Sequence, residues 1–170
     1  LCDSDELVKE IYKKPTKQFF IHLKKIGLKK SIKQNKIDKK IIGEIIFSNK
    51  EIKRKLENYI FNIVGRKRHQ FIKKEEAKKS KIIFFDIPLL IENNLQKQFD
   101  VVISIISSKK NRLARLKKTK KMSKKTFKNI IKHQTTDIVR KKMSDIIIYN
   151  NSTLGVYTKK INKIIKTITQ

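Results

Sequence analysis

The hydrophobic pattern of this chain switches between two periods. Ile82, Ile83, Phe84 and Phe85 form a continuous apolar run, the pattern of a strand covered on both faces; Asp86 breaks it and Pro88 forbids further pairing from its nitrogen. Similar runs stand at 101–106 (VVISII) and 145–149 (DIIIY), and Leu1-Cys2 reads as the tail of a strand that ends at Asp3-Ser4-Asp5. Elsewhere the apolar spacing is helical. A helix carries Leu7, Ile11 and Tyr12. The segment 17–48 reads as short helices, with Phe19, Phe20, Leu23 and Ile26 on one and Ile41, Ile42, Ile45 and Ile46 on another. From 50 to 73 a longer amphipathic helix aligns Ile52, Leu56, Tyr59, Ile60, Ile63 and Val64. Helices are predicted at about 109–118 and 123–142, and a last one near 154–168. Strands separated by helices imply βαβ units and a parallel sheet, hence an α/β fold. In such sheets ligands bind beyond the carboxyl ends of the strands, which makes the segment from Asp86 to Glu92 a candidate site. There is no internal repeat and no linker rich in proline or glycine. The lysine-dense stretch Lys117 to Lys125 (KKTKKMSKK) is the one candidate for a mobile excursion.

Composition narrows the classes. The 170 residues suit one domain, or one with an inserted lobe. The single cysteine, Cys2, excludes internal disulfides and cysteine-rich metal sites and fits a reducing cytoplasm. No apolar run approaches the about 18 residues that span a bilayer. The net charge of +29 points at first to nucleic acid. However, arginine occurs only at Arg54, Arg66, Arg68, Arg112, Arg115 and Arg140, and the remaining cations are lysines spread along the whole chain among many isoleucines and asparagines. That is the mark of compositional drift more than of a built nucleic-acid surface, which leans on arginine and exposed aromatics. Nonspecific association with polyanions follows from charge alone. The run Gly65-Arg66-Lys67-Arg68-His69 reads as the exposed side of a helix, and His22, His69 and His133 form no metal-ligand spacing.

Several polar residues are candidates for chemistry and equally for local structure. Asp3, Ser4 and Asp5 precede an apolar-periodic run and are good helix caps; so is Asp38. Glu92 at a helix start is favoured by the dipole, and Asn150 after a strand is an ordinary turn residue. The sequence contains no G-x-x-x-x-G-K-[ST], the loop that cradles nucleotide phosphates, and only four glycines.

Taken together, the motifs resemble one family. The stretch IPLLIE, Ile87 to Glu92, is similar to the PLL-aromatic-E signature of dephospho-CoA kinases. Asp3-Ser4-Asp5 resembles that family's D-A-D, Ile37 to Ile42 (IDKKII) its I-D-R-x-x-L, and Asp145 to Asn150 (DIIIYN) its A-D-x-x-I-x-N. The resemblance runs from Leu1 to about Leu154. It implies a parallel-sheet P-loop NTPase of the nucleoside-monophosphate-kinase type: three layers in a single domain over 1–170, with a helical substrate lobe at about 10–75 and a lid at about 115–125. It implies ATP-dependent phosphorylation of the ribose 3′-hydroxyl of dephospho-coenzyme A, the last step of coenzyme A synthesis, with Mg2+. The implied partners are small molecules, dephospho-CoA and ATP, with no specific nucleic acid and no membrane, and the implied state is a cytoplasmic monomer or weak oligomer. By the same match Asp5 is the catalytic carboxylate, with Asp3 as support or cap. Asp38, Lys39, Asn62, Pro88, Leu89 and Glu92 bind substrate. Arg115, Arg140 and Asn150 bind ATP. Asp86 sits where a strand-end acid can reach magnesium, but no metal ligand is assigned with certainty. Gln134 matches the glutamine that closes the helix after the lid.

The chain also departs from that pattern. Lys39 stands for an arginine and lacks its bidentate fork. Phe61-Asn62 replaces a His-Pro pair, Thr119 replaces a second lid arginine, and Ser144 and Ser152 replace alanine and glycine. The family's P-loop lies on a strand and helix just before the Asp-x-Asp element. The sequence therefore suggests a fragment that begins after that loop, with the first strand missing and little or no kinase activity as it stands. The alternative is a non-catalytic, decayed member or a basic protein that binds nucleic acid nonspecifically.

Overall fold

A computed structural model describes residues 1–119, 127, 131 and 134–169. The chain divides into two units, Leu1–Pro88 and Leu89–Gln170.

In the first unit, strand β1 (Cys2–Asp3) pairs in parallel with β4 (Phe85–Asp86), in the register Cys2↔Phe85 and Asp3↔Asp86. Helix α1 (Ser4–Lys13) starts at once, because Asp3 accepts the first free backbone amides. Helix α2 (Lys17–Lys25) is capped by Thr16 and ends in a Schellman turn. There Leu28 N donates to Leu23 O at 2.8 Å and Gly27 N to Lys24 O at 3.3 Å, with Gly27 at φ +89°. A hairpin of β2 (Ile32–Lys33) and β3 (Lys36–Ile37) follows, then α3 (Lys39–Ser48) behind its cap Asp38, and the 28-residue α4 (Lys50–Ala77) behind Asn49. The core is helical: Ile11, Phe19, Leu23, Ile26, Leu28, Ile42, Leu56 and Val64 are buried together.

Two expectations are corrected here. The segment 17–48 is not helical throughout, since Gln34 (φ +47°) and Asn35 (φ +58°) close a two-residue hairpin turn. Such turns take left-handed residues at both central positions, and asparagine tolerates that region. The strand expected over 81–86 is only Phe85–Asp86, and Ile82 to Phe85 are half-buried rather than buried. The ladder ends on its carboxyl side because α1 starts at Ser4, directly after Asp3.

In the second unit the chain leaves Leu89 in tight turns, in which Asn93 N donates to Leu89 O and Leu95 N to Leu90 O, each at 3.0 Å. Strand β5 (Ile103–Ile106) pairs in parallel with β6 (Ile146–Tyr149) over four residue pairs, Ile103↔Ile146 to Ile106↔Tyr149. Val101 and Val102 fall outside the ladder because the Asp145 carboxylate takes the Val102 amide at 2.7 Å. Helix α5 (Lys109–Thr119) follows β5, α6 (Asp137–Lys142) precedes β6, and α7 (Leu154–Thr169) closes the unit. The helix expected over 123–142 is not continuous. Phe127 and Ile131 are helical, the chain bends at Gln134, and Thr136 caps a new start. The rest of that range, and the lid expected at 115–125 beyond Thr119, lie outside the described residues.

Candidate active site

The carboxyl ends of β1 and β4 present acids side by side. Asp3 and Asp86 are register partners, and Asp86 is exposed. Asp3 is committed to capping: its Oδ1 accepts from Asp5 N at 2.8 Å and Glu6 N at 3.1 Å. Asp5, in the first turn of α1, keeps its carboxylate exposed. The division of labour is thus visible in the hydrogen bonds, with one acid holding the helix and the next free at the sheet edge. Among the described residues no group of three or more His, Cys, Asp or Glu side chains is arranged to hold a metal ion. One or two carboxylates together with substrate phosphates do suffice for Mg2+, which keeps several of its waters. Asp5 and Asp86 fit that limited role.

Asp38 caps α3, accepting from Lys40 N at 3.0 Å and Ile41 N at 3.3 Å, with Lys33 Nζ at 3.4 Å. The Ile41 amide, ahead of Lys33, holds its carboxyl below the usual range. Lys39 places Nζ over the Tyr12 ring, 4.7 Å from the centroid. Burial pushes the Tyr12 hydroxyl up to about 12. That ring also meets Phe19 edge-on at 5.5 Å, and Phe19 stacks on Tyr59 at 5.6 Å. Asn62 lies exposed on α4, and no hydrogen bond joins it to Asp38 or Lys39.

The IPLLIE stretch is geometrically unusual. Pro88 is exposed, and Leu89 is held at φ +58°, a left-handed conformation that is rare for a bulky side chain, while 44% of its surface stays exposed. Its carbonyl accepts from both Asn93 N and Asn93 Nδ2, at 3.0 and 2.9 Å. An exposed apolar side chain on a strained, anchored backbone is a common mark of a binding site. Glu92 turns inward instead. Its Oε1 accepts from Thr135 N at 2.9 Å and Arg140 Nη2 at 3.2 Å. Burial works against the charge, but the Thr135 amide and Arg140 outweigh it and keep the carboxyl below its ordinary range.

Arg115 and Asn150 come together. Arg115 Nη2 donates to Asn150 O at 2.9 Å and Asn150 Oδ1 at 2.8 Å, with Ser107 Oγ 3.5 Å from its other nitrogen. The neighbouring Asn151 accepts from Ser108 N at 2.8 Å and Asn111 Nδ2 at 3.3 Å. Arg140 does not face this cluster: its guanidinium lies between Glu92 and Asp137, 3.2 and 3.3 Å away. Sequence reasoning missed Tyr12, Ser107 and Asn151. The polar pairs at 107–108 and 150–151, each directly after an apolar run, were the available signal for the last two.

The dephospho-CoA kinase family model matches residues 1–155. The dephospho-CoA kinase of Fusobacterium nucleatum is 35% identical over 167 residues, covering 98% of this chain and 84% of its own. The chain belongs to the dephospho-CoA kinase family. A second relative of that name, from Campylobacter jejuni, is 32% identical over 141 residues, 81% of this chain and 68% of its own. The solved structure of a dephospho-CoA kinase from Campylobacter jejuni superposes with a TM-score of 0.71 at 29% identity, covering 99% of this chain and 84% of that one. A crystal structure from Thermus thermophilus gives a TM-score of 0.76 at 17% identity and speaks for the fold alone. The protein is therefore a family kinase with the P-loop kinase fold. Its resemblance through DSD, IPLLIE and DIIIYN agrees with the match, and all three motifs fall inside residues 1–155.

Proposed function

We propose that this kinase transfers the γ-phosphoryl group of ATP to the ribose 3′-hydroxyl of dephospho-coenzyme A. The observation that carries this reading is the family match over residues 1–155, which takes in every motif named above. Asp5 acts as the base that orients the hydroxyl and accepts its proton, and the exposed carboxylate beside the capped Asp3 suits that role. Lys39, Asp38, Asn62, Pro88 and Leu89 contact dephospho-CoA, while Arg115 and Asn150 hold ATP. Mg2+ would be held by Asp5 and Asp86 and would supply positive charge against the phosphates. The phosphate cradle itself is not among these 170 residues, which contain no Walker A sequence. No described helix is long and apolar enough to cross a membrane. We place the enzyme in the cytoplasm as a monomer or weak oligomer, with its lysine-rich surface carrying no specific nucleic-acid site.

The test is titration calorimetry of the 170-residue chain with dephospho-CoA and with coenzyme A, followed by ADP release from the same chain carrying a strand, Walker A loop and helix fused ahead of Leu1. Preferential binding of dephospho-CoA and ADP release dependent on it are expected. Binding without ADP release would indicate a non-catalytic member. Salt-sensitive binding of DNA or RNA with no response to dephospho-CoA would overturn the reading.

A further inference from the structure

The side chain of Glu92 is 18% exposed and that of Arg140 19%, so their pairing is largely shielded from water. Arg140 extends the contact to Asp137 at 3.3 Å, and Asp137 reaches Arg112 of α5 at 3.5 Å. Three residues further along the same helix, Arg115 grips both oxygens of Asn150. Residues three apart on a helix are surface neighbours, so what fixes Arg112 also fixes the roll of α5 that aims Arg115. Charges alternate along Glu92, Arg140, Asp137 and Arg112. The last link is long, and Arg112 Nε is buried with no partner among the described residues. The hold on α5 therefore depends on α6 presenting Asp137 correctly, and Glu92 sets α6 through the Thr135 amide and Arg140.

The geometry points to Glu92 as a positioning residue that anchors α6 and, through Asp137 and Arg112, places Arg115 on Asn150. Its carboxylate acts on the nucleotide end of the site without touching it, an inference that rests on Arg115 and Asn150 being ATP groups. Arg140 belongs to the same device. Losing Glu92 leaves a partly buried guanidinium with one carboxylate and strands the Thr135 amide, and α6 shifts to recover both.

The experiment is NMR on the labelled 170-residue chain, following the Thr135 backbone amide, Arg115 Nε and the Asn150 side-chain amide, with the Ile146 amide as a control inside the β5–β6 sheet. In Glu92→Ala, exchange of the Thr135 amide rises about tenfold or more, and the Arg115 and Asn150 signals move while Ile146 is unchanged. Glu92→Gln keeps an acceptor for Thr135 and restores most of the protection. If Glu92→Ala fails to fold, Asp137→Asn tests the same chain of contacts and should displace Arg115 and Asn150 alone. Arg115 and Asn150 signals that stay in place, or an Ile146 amide that moves with them, would overturn the proposal. ATP titration of the same samples separates the two readings: displaced signals in a chain whose wild type ignores ATP would leave the positioning role standing and remove the nucleotide assignment.

Discussion

Lys39 lies over the Tyr12 ring with its ammonium 4.7 Å from the centroid, so a residue that the motif pattern assigns to substrate phosphate is docked on an aromatic face. The ring in turn packs edge-on against Phe19, which is fully buried. The ammonium is thus held near a fixed point instead of sweeping freely, which partly offsets the lost fork of an arginine.

The Tyr12 hydroxyl provides a direct reading of that packing. Burial raises its folded value to about 12, above the ordinary tyrosine range. A raised acid contributes stability that is complete below the unfolded value and is lost as pH climbs through the folded one. Absorbance titration near the tyrosinate band should show a late ionisation that is absent in Tyr12→Phe. A titration whose late end is unchanged by Tyr12→Phe would contradict the packing.

Asp3 and Asp5 should separate cleanly. Asp3→Ala removes the cap of α1 and lowers stability by about 1 kcal/mol. Asp5→Asn leaves thermal stability nearly unchanged but reduces ADP release about 10²- to 10⁴-fold in the chain fused to a Walker A segment. The paired readouts are a melting curve and a coupled assay. An Asp5→Asn variant with full turnover would remove Asp5 from the chemistry.

Leu89 is held at φ +58°. Leu89→Gly relieves a cost of about 1–2 kcal/mol for a left-handed residue, so the melting temperature should hold or rise. If its exposed side chain meets dephospho-CoA, affinity falls in the same variant. Calorimetry and melting on one sample check both signs, and a marked loss of stability would mean that the leucine serves packing alone.

Glu92 links stability to pH. Its carboxyl is depressed below the ordinary glutamate range. The stability it contributes is therefore present above that range and drains away as pH falls through the lower, folded value. Denaturant melts between pH 7 and pH 3 should show a smaller acid loss for Glu92→Gln than for wild type. Equal slopes would mean that the Thr135 and Arg140 contacts do not favour the ionised form.

The helical lobe rests on its core. Leu23 is fully buried, so Leu23→Ala should cost about 2–5 kcal/mol. Gly27 ends α2 at φ +89°, and a Cβ there would meet Ile52 Cδ1 only at ordinary contact distance, 3.4 Å. Gly27→Ala should therefore cost about 1–2 kcal/mol through backbone strain alone. Urea midpoints measure both, and a neutral Gly27→Ala would show that the Schellman turn can relax.

Much of this protein was legible before any coordinates. Periodicity located most helices and all three apolar strands, because burial of one face imposes spacing that residue order alone records. Short motifs named the family, since catalytic acids and strand-end turns need particular residues at particular offsets. The capping by Asp3 and Asp38 follows from their short polar side chains next to helix starts.

What the chain order could not reveal is pairing at a distance. The β4 ladder ends after Asp86 because α1 starts directly after Asp3, a property of the partner and not of the IIFF run. The 32–37 hairpin depends on two left-handed residues whose side chains merely permit that conformation. Most of all, Arg115 with Asn150 and Glu92 with Thr135 and Arg140 join positions separated by 35 to 48 residues. A guanidinium or carboxylate can pair with many groups, and only tertiary packing selects which one lies within bonding distance.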